Sequence, residues 1–212
     1  DRIITAPLPY FARFLSYPKK KVLQYKKGLI LLHQYNHLSP GAKVEQILRG
    51  FYDPIEVLEK LGIEIIGIKV GGETILQTLG LHGNYFEYHG RRIPIFSGYR
   101  SFPDVALQAD LIVGSYSTSI IEAGLLGLDY YLYSPPALEC ATPSLHYTID
   151  SIIRISRTPE ELYQNIHDRQ PYHDGHSVAD LVDLESFSSE GQLCEKFSST
   201  LANIEKQHPR NY

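Results

Sequence analysis

The feature that most constrains the fold of this chain is an alternation of short apolar runs with amphipathic helical patterns. Apolar runs of strand length lie at residues 28–32, 63–68, 93–96, 110–113, 130–133 and 152–155. Helical patterns lie at residues 43–50, 54–61, 74–79, 104–109, 119–126 and 158–165, with a closing helix at 190–206. Strands that alternate with helices predict a parallel sheet covered on both faces. We therefore expect an α/β fold with a doubly wound parallel sheet.

Chain length and local composition divide the chain into three predicted parts. A chain of 212 residues suits one α/β domain with a packed tail. Residues 1–24 are rich in proline and lysine, which is typical of a linker or of the remnant of a preceding domain. Residues 25–157 form the predicted core, and residues 158–212 a helical segment that packs on it. The chain contains no methionine, so we expect a processed chain or part of a longer one.

Composition excludes several classes of function. A net charge of -4 gives no broad basic surface, so nucleic acid is not an expected partner. The two cysteines, Cys140 and Cys194, lie far apart and suit a reducing compartment, the cytoplasm. No apolar stretch approaches the roughly 20 residues of a membrane-spanning helix. The lysine run over residues 19–27 is either a solvated linker or a peripheral contact with an acidic membrane surface at the inner face.

A cluster of hydroxyl side chains marks the junction between the predicted strand at 110–113 and the helix at 119–126. Ligands of parallel sheets bind beyond the carboxyl ends of the strands, and hydroxyls with free N–H groups at a helix start suit a phosphate or diphosphate. A capping box of Ser119 with Glu122 is the alternative, since it closes the helix start without a ligand. It leaves Ser115 and Ser117 unexplained. The cluster comprises Ser115, Tyr116, Ser117, Thr118 and Ser119.

Other phosphate-binding and nucleophilic motifs are missing from the sequence. There is no G-x-x-x-x-G-K-[ST] loop and no G-x-G-x-x-G fingerprint, which argues against a kinase-type loop and an ordinary dinucleotide oxidoreductase. A serine hydrolase would place serine where this chain has Tyr116. These classes are set aside.

One stretch resembles a known family. "DVALQADLIVGSYSTSIIEAGLLGLDYYLYSPP", followed by "IIRISRTPEELYQNI", resembles the carboxyl-terminal half of glycosyltransferases with the two-Rossmann-domain B-type fold. Among them it is most similar to bacterial surface-polysaccharide enzymes, the glycerophosphotransferases and the sialyltransferase-like transferases that use cytidine-nucleotide donors. The resemblance covers roughly residues 25–205 and is sharpest over 104–136. It implies a Rossmann-like, donor-binding half of such a fold.

The resemblance also implies roles for individual residues. Glu122 falls where these enzymes bind the ribose hydroxyls of the nucleotide. Residues 68–73 stand where the cytidine-donor relatives have K-x-H-P; the His-Pro pair is absent, which puts that subfamily in doubt. Lys69 would still neutralise the charge of the donor phosphate, and Gly71 and Gly72 would let the backbone approach that phosphate closely. The candidate donor-binding residues are Gln34, Lys69, Gly71, Gly72, Ser97, Ser115, Ser117, Thr118, Ser119 and Glu122.

The turn after the first strand, "HQYNHLSPG", would face the cleft between the two domains of such a fold. His33 and His37 are therefore candidate catalytic residues for proton transfer, with ordinary loop histidines as the alternative. No third ligand of fitting spacing follows them and HExxH is absent, so no metal is expected. The expected ligand is a CMP-, CDP- or UDP-linked donor used as a substrate, with no separate cofactor.

The function expected from these features is a glycosyltransferase that moves a sugar or polyol phosphate to a surface polysaccharide or glycolipid acceptor. This half would bind the donor, and catalysis would need an N-terminal domain. Two alternatives stay open: a UDP-sugar 2-epimerase, and a non-catalytic Rossmann-like scaffold in polysaccharide assembly.

Overall fold

The computed structural model describes residues 13–32, 44–70, 83–96, 102–136 and 151–177. We number the elements within these ranges, after a short 3-10 turn at Arg13–Ser16. The strands are β1 (Lys27–Leu32), β2 (Glu64–Val70), β3 (Tyr85–Tyr88), β4 (Arg91–Phe96), β5 (Leu111–Gly114), β6 (Asp129–Tyr133) and β7 (Ile155–Ser156). The helices are α1 (Val44–Lys60), α2 (Phe102–Ala106), α3 (Ser119–Leu125) and α4 (Pro159–His167). The helices predicted at 74–79 and 190–206 lie outside these ranges.

The strands form one seven-stranded sheet in the order β3-β4-β2-β1-β5-β6-β7. All neighbours pair in parallel except β3 and β4, which form an antiparallel hairpin. The order runs outward from β1 in both directions, through β2 and β4 on one side and through β5, β6 and β7 on the other. This is the doubly wound, Rossmann-like arrangement. The predicted fold class is confirmed.

Two apolar layers cover the sheet, one on each face. On one face α1 and α4 pack with residues such as Ile30, Leu58 and Ile166. On the other face α2 and α3 pack with residues such as Leu31 and Ile120. All four residues of β5 are buried, as expected for a central parallel strand that is covered on both sides.

Several elements differ from the sequence-based expectation. The two helices predicted at 43–50 and 54–61 form the single helix α1, with Pro54 inside it. Phe51, Ile55 and Leu58 make a continuous apolar stripe against the sheet, and its burial outweighs the hydrogen bond that proline cannot donate. The hairpin strand β3 was not predicted; it turns into β4 through His89 and Gly90, both at positive φ (46° and 76°).

The strand pairing near the two edges of the sheet also differs from the sequence-based expectation. Residues of β4 up to Pro94 pair with β3, and the parallel pairing with β2 begins only at Ile95. Pro94 therefore lies outside the parallel ladder, as its missing N–H requires. The last strand is shorter and later than predicted, because Ile153 forms an isolated bridge with Tyr172 instead.

Part of the segment predicted as a linker packs on the core. Phe14 is fully buried among the side chains of α2 and α3. The Lys20 N–H donates a hydrogen bond of 2.8 Å to the carbonyl of Leu126. The domain boundaries themselves stay a prediction. Within the described ranges, no helix is both long enough and apolar enough to cross a membrane.

Candidate functional site

The candidate site lies where the strand order reverses, between β1 and β5. Leu31 of β1 is the Cα partner of Gly114 at the end of β5. The next described helix after β1 is α1 and the helix after β5 is α3, and they cover opposite faces of the sheet. A crevice beyond the carboxyl ends of the strands is the expected consequence, and ligands of such sheets bind there.

Gly114 brings the end of β5 unusually close to its surroundings. A Cβ atom on Gly114 would lie 2.9 Å from both the Cβ and the carbonyl oxygen of Leu31, and it would also collide with the Tyr130 hydroxyl. Tyr130 is fully buried, and its hydroxyl donates a hydrogen bond of 2.6 Å to the carbonyl of Ser115. The chain that leaves β5 therefore follows a fixed path, and that path positions the hydroxyl cluster.

The hydroxyls of the cluster differ in exposure and in use. Ser117 and Ser119 are each only 9% exposed, Ser115 is half-buried and Thr118 is exposed. The Ser119 N–H donates a hydrogen bond of 3.2 Å to the Ser117 hydroxyl. Helix α3 starts at Ser119 with Thr118 as N-cap, and the Thr118 side chain makes no capping hydrogen bond. The predicted capping box was therefore wrong, because Ser119 is the first residue of the helix and Thr118 is the N-cap; the Ser117 hydroxyl accepts the N–H of Ser119 instead.

The start of α3 is also less open to an anion than the sequence suggested. The N–H groups of Ile120 and Ile121 donate to the carbonyls of Ser117 and Thr118, at 3.1 and 3.0 Å. With Ser119 bonded to Ser117, the expected free backbone donors are already used at these three positions, because the helix begins with a tight turn. Anion contacts here would come from the side chains of Ser115 and Thr118.

Lys69 brings a buried cation to the same edge of the sheet. It lies on β2 as the Cα partner of Leu31, is 2% exposed, and donates from Nζ to the Val70 carbonyl at 3.2 Å. Burial lowers the pKa of Lys69, and the negative charge of Glu122 opposes that shift. Glu122, on α3, is itself only 4% exposed. The fold thus brings together two residues that the sequence predicted separately.

Lys69 is in register with Gly114, the residue just before the hydroxyl cluster, across β2, β1 and β5. Lys69 pairs with Leu31, and Leu31 pairs with Gly114. The strand spacing places Lys69 about 10 Å from Gly114, measured across two neighbouring strands. A charged group and hydroxyl groups therefore flank the end of β1, on the face that α3 covers.

Six of the predicted site residues lie outside the described residues, and their roles stay predictions. In the sequence, these residues come after the ends of three described strands: β1 ends at Leu32, β2 at Val70 and β4 at Phe96. The carboxyl ends of these strands meet at the same edge of the sheet as Gly114. The residues concerned are His33, Gln34, His37, Gly71, Gly72 and Ser97.

A polar pair near the end of β6 was not expected from the sequence. The hydroxyl of Tyr133 donates a hydrogen bond to the carboxylate of Asp53 on α1. Burial raises the pKa of Asp53, while Tyr133 and the charge of Arg49 oppose the shift. Tyr131 and Tyr133 alternate along β6 and so share one face of the sheet. This alternation was the sequence signal that could have pointed to the pair. Within the described residues, no three His, Cys, Asp or Glu side chains are grouped to hold a metal ion.

Taken together, the sheet order and the site define an α/β domain of the Rossmann-like class. No protein-family model matches the chain, and no curated protein matches it by sequence. Among solved structures, it is similar to the UDP-GlcNAc 2-epimerase of Methanocaldococcus jannaschii in complex with UDP-GlcNAc and UDP, with 14% identity and a TM-score of 0.49. It is also similar to the wall teichoic acid polymerase TagF, with 12% identity and a TM-score of 0.47.

These alignments cover 89% of this chain for the epimerase and 95% for the polymerase. Each covers 48% of the matched chain. The chain therefore spans about half the length of the solved structures that it matches.

Proposed function

We propose that this chain is the donor-binding half of a transferase that moves a sugar or polyol phosphate from a nucleotide-linked donor to a surface polysaccharide or glycolipid. The observation that carries the proposal is that Lys69 on β2 and the cluster of Ser115 and Thr118 after β5 lie at the same edge of the sheet, on either side of β1. The strand order reverses beside β1, and this edge is where ligands bind in this class of sheet.

The chemistry of these groups suits the phosphates of such a donor. The Ser115 and Thr118 hydroxyls are the more exposed ones of the cluster, and each supplies a hydrogen-bond donor to an anion. Lys69 is buried, so its charge acts through a medium of lower dielectric constant than water and is screened less by salt. Glu122 keeps this cation partly balanced until a phosphate arrives.

In the whole enzyme, these groups would act on the departing phosphate. Hydroxyls and a cation that are already in place stabilise the charge that develops on the leaving group. A histidine of the turn after β1, His33 or His37, would accept the proton of the acceptor hydroxyl. A second domain would supply the acceptor side of the cleft, so the isolated chain is expected to bind nucleotide without turnover.

Calorimetric titration with CMP, CDP, UMP and UDP tests this proposal on the chain and on the full-length protein. At least one nucleotide should bind, and the diphosphate should bind more tightly than the matching monophosphate. Substitution of Thr118 by Ala should weaken that binding, whereas Ser151→Ala, an exposed serine that precedes β7, should not. If neither protein binds any of the four nucleotides at millimolar concentration, the proposal is wrong and the scaffold alternative is supported.

Product analysis separates the transferase from the epimerase. The full-length protein is incubated with a UDP-sugar and no acceptor. If the sugar is epimerised, the transferase proposal is wrong and the epimerase alternative is supported. An unchanged donor together with nucleotide binding supports the transferase.

A further inference from the structure

The segment before β1 presents one apolar side chain among exposed lysines. Leu23 is 80% exposed, and the only other exposed large hydrophobic residue within the described ranges is Tyr85, at 40%. Lys19, Lys21 and Lys26 flank Leu23, and all three are exposed. We refer to residues 19–26 as the basic tip.

The backbone of the basic tip is held in place by Arg169. The Arg169 guanidinium donates to the carbonyls of Val22 and Leu23, at 3.1 and 2.8 Å. It also lies 4.4 Å from the centroid of the Tyr25 ring, and the Tyr25 hydroxyl donates to Asp129 at the start of β6. The exposure of Leu23 is therefore fixed by hydrogen bonds to its own carbonyl and does not result from an unanchored chain.

Three of the acidic groups around the tip are engaged by the protein, whereas Glu64, whose N–H donates to the Lys26 carbonyl, has an exposed side chain. Asp110 binds the Lys20 ammonium at 2.9 Å, and Asp129 accepts the Tyr25 hydroxyl. Asp168 accepts hydrogen bonds from Gln164 and His167. The exposed charges of the tip are thus those of Lys19, Lys21 and Lys26. Lys27 and Glu64 are exposed just beside it, so the local charge is positive on a chain whose net charge is -4.

The position of the tip bears on which surface it meets. The tip leads directly into Lys27, the first residue of β1, so it lies at the amino ends of the strands. The candidate site lies at the carboxyl ends, about 20 Å away along a strand of six residues. A surface that docks on the tip therefore leaves the candidate site uncovered.

We propose that the basic tip docks on an anionic lipid bilayer, with Leu23 entering the headgroup region and the lysines contacting lipid phosphates. A single protruding apolar side chain suits a fluid surface, which closes around it, while long lysine stems reach the headgroups from either side. Lysines near a membrane surface are attracted to acidic lipids, and salt weakens that attraction. The proposal does not depend on the nucleotide-binding proposal.

The absence of tryptophan from the chain provides a direct test. Leu23→Trp places a single tryptophan on the tip, and Tyr85→Trp places a matched one on the edge strand β3. Vesicles of phosphatidylcholine containing one-third phosphatidylglycerol should shift the Leu23→Trp emission to the blue, and brominated lipid should quench it. Pure phosphatidylcholine should have little effect, and Tyr85→Trp should not respond to either vesicle.

Charge variants complete the test. In vesicle sedimentation, Lys21→Glu or Lys26→Glu should each lower the partition coefficient by at least about fivefold, the value for one lost lysine. Arg92→Glu, an exposed cation on β4, is the control and should bind like the unmodified chain. Three results overturn the proposal: no response of Leu23→Trp to anionic vesicles, an equal response of Tyr85→Trp, or an equal blue shift of Leu23→Trp with polyglutamate, which would indicate an acidic polypeptide partner.

Discussion

Lys69 on β2 and Glu122 on α3 interact electrostatically across the layer between the sheet and the helix, and both side chains are nearly inaccessible to water. Substitution of Lys69 by Met leaves the Glu122 carboxylate buried without this opposite charge. We expect the free energy of unfolding to fall by about 3–5 kcal/mol, as is usual when one partner of a buried pair is removed. Urea unfolding measures this loss.

The double variant Lys69→Met/Glu122→Leu separates a structural role of the pair from a role in binding. Replacing both charges with apolar groups should restore most of the lost stability. If either residue also serves the donor, Lys69 its phosphate or Glu122 its ribose, this stable double variant will still bind nucleotide more weakly than the unmodified chain. Unchanged nucleotide affinity in the double variant would assign the pair to stability alone.

Gly114→Ala tests the close packing at the end of β5. The added Cβ would collide with the Tyr130 hydroxyl and lie 2.9 Å from Leu31 atoms, so we expect a loss of about 1–3 kcal/mol in unfolding free energy. Adding Tyr130→Phe removes one of the colliding atoms. The double variant should therefore lose less than the sum of the two single variants in a thermodynamic cycle. Strict additivity would show that the Tyr130 hydroxyl does not limit this position.

The sheet could be predicted from the sequence because its signal is local. Runs such as residues 28–32 and 110–113 carry the apolar pattern of buried strands, and helical periodicity separates them. The hairpin strand β3 was missed because its four residues are too few to establish a pattern, and half of them are exposed. The break predicted before Pro54 was wrong because tertiary packing of one helix face overrode the proline signal.

The site was predicted less completely, because its geometry depends on contacts between distant parts of the chain. The sequence pointed to Lys69 and Glu122 individually, but their interaction depends on how α3 packs on this face of the sheet. The choice of capping residue depends on the helix boundary to within one or two residues, which sequence patterns do not resolve. The N-cap position that the motif assigned to Ser119 therefore falls to Thr118, and the Ser117 hydroxyl accepts the Ser119 N–H.

Asp110 should make stability depend on pH in the acid range. Burial acts to raise the pKa of Asp110, but the hydrogen bonds from Lys20 and from the N–H groups of Lys26 and Lys27 outweigh it and hold the pKa below 3.8. The unfolded chain therefore takes up this proton first, so the contribution is present above pH 3.8 and is lost as pH falls through the folded-state pKa.

Asp110→Asn should accordingly lower the free energy of unfolding at neutral pH by about 1–3 kcal/mol. Its difference from the unmodified chain should shrink as the pH falls below 3.8. Denaturant unfolding at a series of pH values measures both effects. Asp104→Asn, an exposed carboxyl on α2, should change stability by less than about 0.5 kcal/mol at neutral pH. A loss for Asp110→Asn that is equal at every pH would contradict the charge-based account.

Ser117 and Thr118 are neighbours, yet the structure predicts opposite consequences for their substitution. Ser117→Ala removes the oxygen that accepts the Ser119 N–H, so it should lower the free energy of unfolding by about 0.5–2 kcal/mol. Thr118 is exposed and makes no capping bond, so Thr118→Ala should leave stability nearly unchanged while it weakens nucleotide binding. Thermal unfolding and calorimetric titration of both variants measure the two effects separately. The reverse pattern, with Thr118→Ala unstable and Ser117→Ala weak only in binding, would place the phosphate on the Ser117 side of the turn.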